Sequence, residues 1–600
     1  MKKHRLEALL ASCEQELEVY KKKFNRCSFL RAVVALVTLV SLIAALSLRF
    51  YTGYVLCGIG AVAFLLLIAW HNQIEEHQNG LAAEKEVLKE YLARFGEGWK
   101  QFPCDGEEYL TEDFPQARDL DLLGKGSLYQ YLCAANTVYG ADCLAEWLRD
   151  GAPDALEREA RQKAVEELAG KQEFTLRLQC LGKQMKRKNA ESDKKAAADF
   201  IRASRNTDAQ PSALSILMWG FPFITLFFLL SALFGVFIKW SLSFFFLCFL
   251  LQLLFVILGF QRNGRILHPV YRFYRSIAAY QSIFSLIERE SFQSGKLCEI
   301  QKAVRKNGGA SNALNTLRRI GEAVNARHNG IAFLVYNGLL LWDYHCADRF
   351  IHWRNAYGAE IEAWLQLTGE LEALISFSVL CNVKGSYCFP QVTDGQAPYL
   401  SFQDLKHPLI AEEKSVGNDL SLKHGCCMIT GSNMSGKTTF LRSVGSSLFL
   451  ADAGGPVLAK TFCASKMAVL TSMRIEDSVS EGISTFYAEL LRIKEMIRYQ
   501  KLGKPMLALI DEIYKGTNSR DRILGAQETL RRLSGEQVLL MVTTHDFELC
   551  DLENDPAVMA INYHFAEQYK GDEILFDYKM RPGRCRTTNA QHLLRLAGIL

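Results

Sequence analysis

Four apolar runs break an otherwise mixed chain, at 29–48, 54–70, 214–238 and 240–260. Each comes close to the ~20 residues with which a helix crosses a bilayer. They fall into two pairs, and the short turns within the pairs carry only Arg49 and Lys239 as charges. A buried soluble helix has the same composition, but two such pairs with so little between their members are unusual in a soluble core. The pattern therefore predicts two transmembrane hairpins. Elsewhere the spacing is helical. Leu6, Leu9, Leu10, Leu17 and Tyr20 mark a lead-in helix over 1–28, 72–100 reads as a solvated helix, and apolar positions recur at helical intervals through 263–385. Strand-type runs come late, at 426–429, 505–510 and 537–544, beyond Pro390 and the polar residues Thr393 to Gln396. The chain divides accordingly into a lead-in helix (1–28), a first hairpin (29–71), the first part of a helical core (72–210), a second hairpin (211–262), the second part of that core with its levers (263–400), and a C-terminal α/β domain (401–600).

Charge adds direction to this layout. Lys21, Lys22, Lys23, Arg26 and Arg31 precede or open the first run, Lys186, Arg187, Lys188, Lys194 and Lys195 precede the third, and Arg262, Arg265, Arg272 and Arg275 follow the fourth. By the positive-inside tendency both hairpins enter and leave on the cytoplasmic side. The expectation is a multi-pass protein of the cell membrane, with its N-terminus and C-terminal domain in the cytoplasm. The first run begins late and a second follows at once with no small-residue cleavage site between them, which argues against a secretory signal. A formal charge of +4 on 600 residues makes no global case for nucleic acid. The 17 cysteines form no C-x-x-C pair, so reduced thiols and no zinc site are expected. His345 and His352 share a helix face, but aromatic neighbours make them packed or hydrogen-bonded histidines rather than metal ligands.

The chemistry concentrates in the last domain. Residues Gly431-Ser432-Asn433-Met434-Ser435-Gly436-Lys437-Thr438 match the phosphate-binding pattern G-x-x-x-x-G-K-[ST] in full, between a strand-type run and a helix. Gly431 and Gly436 let the backbone turn so that successive N–H groups, through Asn433, Ser435 and Thr439, point at phosphate oxygens, with the helix N-terminus adding partial positive charge. Lys437 reaches the β- and γ-phosphates, and the Thr438 hydroxyl suits a ligand of Mg²⁺. The apolar run 505–510 ends in Asp511 and Glu512. Asp511 is placed to hold Mg²⁺ through its water shell, and Glu512 to orient and polarise the attacking water. His545 closes the run 537–544 and is placed to hydrogen-bond the γ-phosphate, since ligands gather at the C-terminal edge of parallel sheets. ATP with Mg²⁺ is the cofactor this set predicts.

Ser484-Thr485-Phe486-Tyr487-Ala488-Glu489 opens a helix, with Ser484 as its N-cap candidate. Together with 431–439, the stretch from Asp511-Glu512 to Asp521, and Thr543-Thr544-His545, it resembles the motifs of the MutS family in their order. Asp119 to Leu128, Asn136 to Gly140, Leu144 to Leu148, and Arg158, Arg161 and Lys163 are similar to that family's helical core. His407-Pro408 resembles its entry strand, and 579–599 its closing segment. Ser432 stands where proline is usual, Tyr514 and Lys515 where Gly-Arg is common, and Arg522 where glycine is usual; these touch loop detail rather than phosphate ligands. The resemblance implies an ABC-type P-loop ATPase domain and a homodimer. In it Gly431, Lys437, Thr438, Asp511, Glu512 and His545 of one chain, with Ser484 of the other in trans, enclose each nucleotide.

The family's mismatch reader has no room here, and the second hairpin stands where the DNA clamp would interrupt the levers. Two readings follow. One is a membrane-anchored MutS-family ATPase whose conformational change serves DNA mismatch binding and repair. The other is a membrane-embedded ATP-driven switch without DNA recognition, its levers ending in membrane lipid. The basic residues between Lys183 and Lys195, and Lys302, Arg305 and Lys306, serve the first as salt-sensitive phosphate contacts, or the second as topology signals and solvated helix ends. A transporter fits less well, because two hairpins offer few intramembrane polar residues for a path. A DNA-facing β-domain between the levers would contradict the second reading.

Overall fold

Two long antiparallel helices, Lys3–Leu48 and Tyr51–Ala93, open the computed structural model. It describes residues 3–48, 51–185, 190–205, 214–235, 238–326, 330–395, 397–474, 485–514, 519–570 and 573–585. The first helix has 46 residues, about 70 Å at 1.5 Å per residue. No break separates the polar lead-in from the apolar run, and the second helix likewise continues from apolar into polar sequence. The polar ends pair through Tyr20 on His77, Phe24 on His71, and a 2.9 Å ion pair from Lys85 to Glu14. Along the apolar ends Leu36, Val40, Val55 and Leu66 face outward.

The second apolar pair comprises Leu214–Leu233 and the 52-residue helix Ile238–Arg289, which runs from apolar sequence straight into the helical core. Among the described residues, three helices are long and apolar enough to cross a membrane: Lys3–Ser47, Thr52–Ala93 and Lys239–Tyr274. The fourth apolar stretch, Trp219–Leu233, is a shorter apolar helix. Apolar side chains such as Phe223, Phe227, Trp240 and Leu250 are exposed along this pair.

Around the inner part of Ile238–Arg289 pack Ala310–Ala326 and Trp342–Tyr357, and its Phe284 ring lies 6.3 Å from Trp364 of the largely buried Ile361–Val383. Helix Val138–Asp150 lies against Ile361–Val383, and its first turn leaves N–H groups with no partner of its own. Of these, the Gly140 N–H donates to Oγ1 of the N-cap Thr137 at 3.0 Å, and the buried Glu372 carboxylate holds the cap by accepting the N–H groups of Asn136 at 2.9 Å and Thr137 at 3.0 Å. Between Gly330–Leu340 and Trp342–Tyr357 the chain bends at Leu341, a buried residue with φ +49°. The almost continuous helix expected through 263–385 is thus interrupted at Leu341 without a glycine or proline to announce it.

Strands begin only at Gln391 among the described residues, so no β-domain interrupts the helices there. In chain order they are β1 (Gln391–Thr393), β2 (Leu400–Leu405), β3 (Asn418–Leu422), β4 (Gly425–Thr430), β5 (Thr461–Ser465), β6 (Ala468–Ser472), β7 (Met506–Asp511), β8 (Val538–Thr544), β9 (Ala560–Lys570) and β10 (Glu573–Pro582). The smaller sheet has the order β1-β5-β2-β3, and the larger β10-β9-β4-β8-β7-β6. In the larger sheet every neighbour is parallel except β10, which runs antiparallel to β9. Every residue of β4 and β8 is buried. Parallel strands covered on both faces read as unbroken apolar runs, which is why the sequence shows them so clearly.

Replacing Glu372 by Ala leaves the Asn136 and Thr137 N–H groups buried without their acceptor. Unfolding in detergent followed by denaturant is expected to show a loss of about 2–4 kcal/mol, and an unchanged midpoint would refute the capping role.

Candidate functional site

Strand β4 delivers the chain into the Gly431–Gly436 turn, and helix Lys437–Ala453 carries it away. Gly431 at φ +149° and Gly436 at φ +105° take backbone angles closed to most side chains. Lys437 is buried, and its Nζ donates at 2.8 Å to the carbonyls of both Gly431 and Ser432, tying the loop around itself. Ser435 is 1% exposed, and its Oγ has no hydrogen-bond partner among the described residues. A buried hydroxyl without a protein partner, in a loop whose backbone N–H groups are also donors, suits an anion. The residues therefore fit a phosphate chain.

The second strand of the site, β7, ends at Asp511, and the third, β8, at Thr544. They are parallel neighbours, so both deliver their last residues to the edge where β4 releases the loop. Thr438 Oγ1 donates to Asp511 Oδ2 at 2.8 Å, and Thr543 Oγ1 to Asp511 Oδ1 at 2.6 Å. This hydroxyl–carboxylate pair offers the few hard oxygen donors that Mg²⁺ takes from a protein when phosphates and water supply the rest. Glu512 sits at φ +57°, held by its N–H to the Thr543 carbonyl at 3.1 Å and to Thr543 Oγ1 at 3.0 Å. That turn brings its carboxylate within 3.0 Å of His545 Nε2, which lies 3.4 Å from Lys437 Nζ.

Gly431, Asn433, Ser435, Gly436, Lys437, Thr438, Thr439, Asp511, Glu512 and His545 thus lie at one sheet edge. Ser484 falls outside the described residues; its helix is described from Thr485 to Gln500. Sequence reasoning gave no role to Thr543, which holds both carboxylate-bearing residues, although the Thr-Thr-His run contained it. It also missed the far wall. A cleft of about 640 Å³ extends from the loop to Leu405, His407, Ile410 and Tyr578, spacious enough for a nucleoside beside the phosphates. Tyr578 is fixed by Asn418, whose Nδ2 donates to its carbonyl at 3.0 Å. Burial first, with Arg442 and Lys384 adding positive charge, pushes His407 down to about 3, so it is neutral and accepts the Leu409 N–H at Nδ1.

Behind the site the helical core is locked to the α/β domain. Asp119, fully buried, accepts from Thr471 Oγ1 at 2.6 Å, the Arg474 N–H at 3.3 Å and Arg492 at 3.1 Å; its carbonyl accepts from Arg442 Nε at 3.2 Å. Arg442 lies on the helix that follows the phosphate loop, and Arg492 on Thr485–Gln500. On the loop helix, a Cβ at Gly445 would stand 2.6 Å from the end of the Leu120 side chain, so a larger residue there would push that side chain aside. A second lock joins Arg158 to Asp394 at 3.1 Å and Asp452 at 3.0 Å. Arg161 lies 3.8 Å over the Trp147 ring.

Several basic residues with a proposed phosphate role are engaged within the chain. Lys183 pairs with Glu86 at 3.1 Å and with Glu90, Lys194 with Asp142 at 2.9 Å, and Arg305 donates to the Glu288 carbonyl. Lys186 to Lys188 lie outside the described residues. His345 packs 4.2 Å from Trp219 and His352 stands 3.8 Å from Asp348, the surroundings of packed and solvated histidines.

A family model, MutS domain V, matches residues 427–599. The DNA mismatch repair protein MutS of Symbiobacterium thermophilum is 31% identical over 278 residues, 42% of this chain and 31% of the relative. The DNA mismatch repair protein MSH3 of Arabidopsis thaliana is 29% identical over 272 residues, 42% of this chain and 25% of the relative. The DNA mismatch repair protein MutS of Parasynechococcus marenigrum is 29% identical over 253 residues, 41% and 27%. The chain therefore spans about a quarter to a third of the length of these relatives.

The neutral state of His407 has a pH signature. Its folded pKa lies below the ordinary 6.5, so the unfolded chain binds the extra proton, and the stability it contributes is present above pH 6.5 and lost as pH falls towards 3. Denaturant midpoints measured across that window should fall further for the wild type than for His407→Gln; parallel profiles would contradict a buried neutral imidazole.

Proposed function

The chain belongs to the MutS family through its C-terminal domain, and on that premise we propose that it is a membrane-anchored ATPase, in which ATP binding and hydrolysis by two chains move helices rooted in the bilayer. The observation that carries this reading is the convergence of Lys437, Thr438, Asp511, Glu512 and His545, from three separate segments, on one edge of the parallel sheet. The loop N–H groups, Ser435 Oγ and Lys437 bind the phosphates of ATP, and the cleft between the loop and Tyr578 takes the nucleoside. Thr438 and Asp511 are the residues that would hold Mg²⁺, which would supply positive charge against that of the phosphates. Glu512 orients a water for attack on the γ-phosphorus and accepts its proton as the bond to ADP breaks. His545, in contact with Glu512 and Lys437, hydrogen-bonds the γ-phosphoryl oxygens. Ser484 serves the site of the partner chain, so that two ATPase domains close on two nucleotides.

The output runs through the Asp119 and Arg158 locks into the helical core. From there the helix Ile238–Arg289 leads without interruption into apolar sequence with outward-facing Trp240, Leu250 and Ile257. Such a surface has lipid as its natural solvent. The basic residues around the hairpins support a cytoplasmic α/β domain, where ATP is available. The switch reading without DNA recognition is favoured over the repair reading because the described residues before Gln391 are helical and several candidate phosphate contacts are satisfied internally.

In nanodiscs, Glu512→Gln is expected to lower ATP turnover by ~10² or more while nucleotide is still bound, and Lys437→Ala to lose binding as well. Homoduplex and mismatched DNA should leave the wild-type rate unchanged at low salt. Stimulation by the mismatched duplex would restore the repair reading, and wild-type turnover in Glu512→Gln would overturn the assignment of the site.

A further inference from the structure

Where the second apolar pair meets the helical core, the bend at Leu341 opens a crevice. The helix before it, Gly330–Leu340, is apolar and packs beside both members of the pair, with the Phe333 ring 6.5 Å from Phe260 and Leu334 and Val335 exposed. At eleven residues it is too short to span a bilayer. The bend is fixed by buried polar groups: Asn337 Nδ2 donates to Asp343 Oδ1 at 3.1 Å, and the Asp343 N–H to Asn337 Oδ1 at 2.9 Å. Tyr344 Oη then donates to the Phe255 carbonyl at 2.8 Å, attaching the following helix to Ile238–Arg289.

The crevice lies between this bend and Leu214–Leu233 and encloses about 170 Å³. Trp219, Phe223, Leu226, Leu340 and Trp342 supply apolar walls, and Arg349 is the full charge in its lining. We propose that it binds an anionic phospholipid of the bilayer, one acyl chain lying against Trp219, Phe223, Leu226 and Trp342 and the phosphate paired with the Arg349 guanidinium. The inference rests on the membrane reading given above.

Size, setting and charge each point to this occupant. The volume is below the ~300–1,000 Å³ of ordinary small-molecule pockets, and suits a length of hydrocarbon chain that continues outside it. The continuation exists: Phe223 and Leu226 are exposed and lead on to exposed Phe227 and Leu230. Trp219 and Trp342 have the amphipathic rings that settle at the level of lipid headgroups. Arg349 stands two helical turns beyond Trp342, about 10 Å along the axis, and among the described residues it makes no ion pair. A planar guanidinium with open donors matches a phosphate diester. Lipid seated here would press on both sides of the Leu341 bend, where the membrane pair joins the core.

Full-length protein in nanodiscs of phosphatidylcholine and phosphatidylglycerol, brominated on the acyl chains of one lipid at a time, tests this by tryptophan quenching. The emission component removed by Trp342→Phe should be quenched about fivefold more effectively by the brominated anionic lipid than by the zwitterionic one, and Arg349→Gln should abolish that preference. Trp219→Phe, on the opposite wall, gives the same reading independently. Equal quenching by the two lipids, or a preference that survives Arg349→Gln, would overturn the site. Trp240, 71% exposed on the apolar helix, reads the premise separately. Quenching of Trp240 without quenching of Trp342 or Trp219 removes the crevice alone; quenching of none of them removes the membrane reading too.

Discussion

A carboxylate taken wholly out of water cannot be left without its partners, because its desolvation costs several kcal/mol unless hydrogen bonds and positive charge offset it. Asp119 is such a group, and its partners come from the opposite side of a domain boundary: Thr471 at the end of β6, Arg492 on the helix that begins at Thr485, and the backbone of Arg474. Arg442, on the helix that grows out of the phosphate loop, reaches the same short segment through the Asp119 carbonyl and Asp121. Any movement of the loop helix relative to the Thr485–Gln500 helix must either carry Asp119 along or break a buried charged contact. The helical core is thereby tied both to the phosphate-loop helix and to Thr485–Gln500.

The route from there to the apolar helices is short in elements though long in space. At 52 residues, Ile238–Arg289 extends about 80 Å, more than twice the ~30 Å hydrocarbon thickness of a bilayer. One end lies among Ala310–Ala326 and Trp342–Tyr357, and the other among the apolar residues of Leu214–Leu233. Its hydrogen-bond ladder lacks one N–H at Pro269, beyond the apolar part, which is where a helix of this kind bends most easily. The Leu341 bend and the Tyr344 contact to Phe255 sit where that helix leaves the core, so the residues that shape the crevice also join the apolar pair to the core.

What could be read from the chain follows from the range of the interactions involved. Strands β4, β7 and β8 were visible because burial on both faces makes them continuous apolar runs, and Lys437, Thr438, Asp511, Glu512 and His545 because fixed offsets from strand ends bind them to one edge. Tyr578 was not, since its position depends on an antiparallel pairing of β10 with an irregular register between Phe576 and Met580. Asp119 carries no local mark of its role; only the fold brings it to residues far along the chain. Leu341 was invisible for the opposite reason. Helical spacing continues through it, and tertiary packing together with the Asn337–Asp343 pair imposes a left-handed residue that local propensity disfavours.

The central claim is that nucleotide in the α/β domain moves the helices that enter the bilayer. The direct measurement is single-molecule energy transfer between fluorophores carried on noncanonical residues at position 264, beyond the apolar part of Ile238–Arg289, and at position 524 on Ser519–Leu533, in nanodisc-embedded Glu512→Gln. The account predicts that saturating ATP shifts the transfer efficiency to a new, single population and that Lys437→Ala in the same background removes the shift. An efficiency that stays unchanged while ATP is demonstrably bound would contradict it.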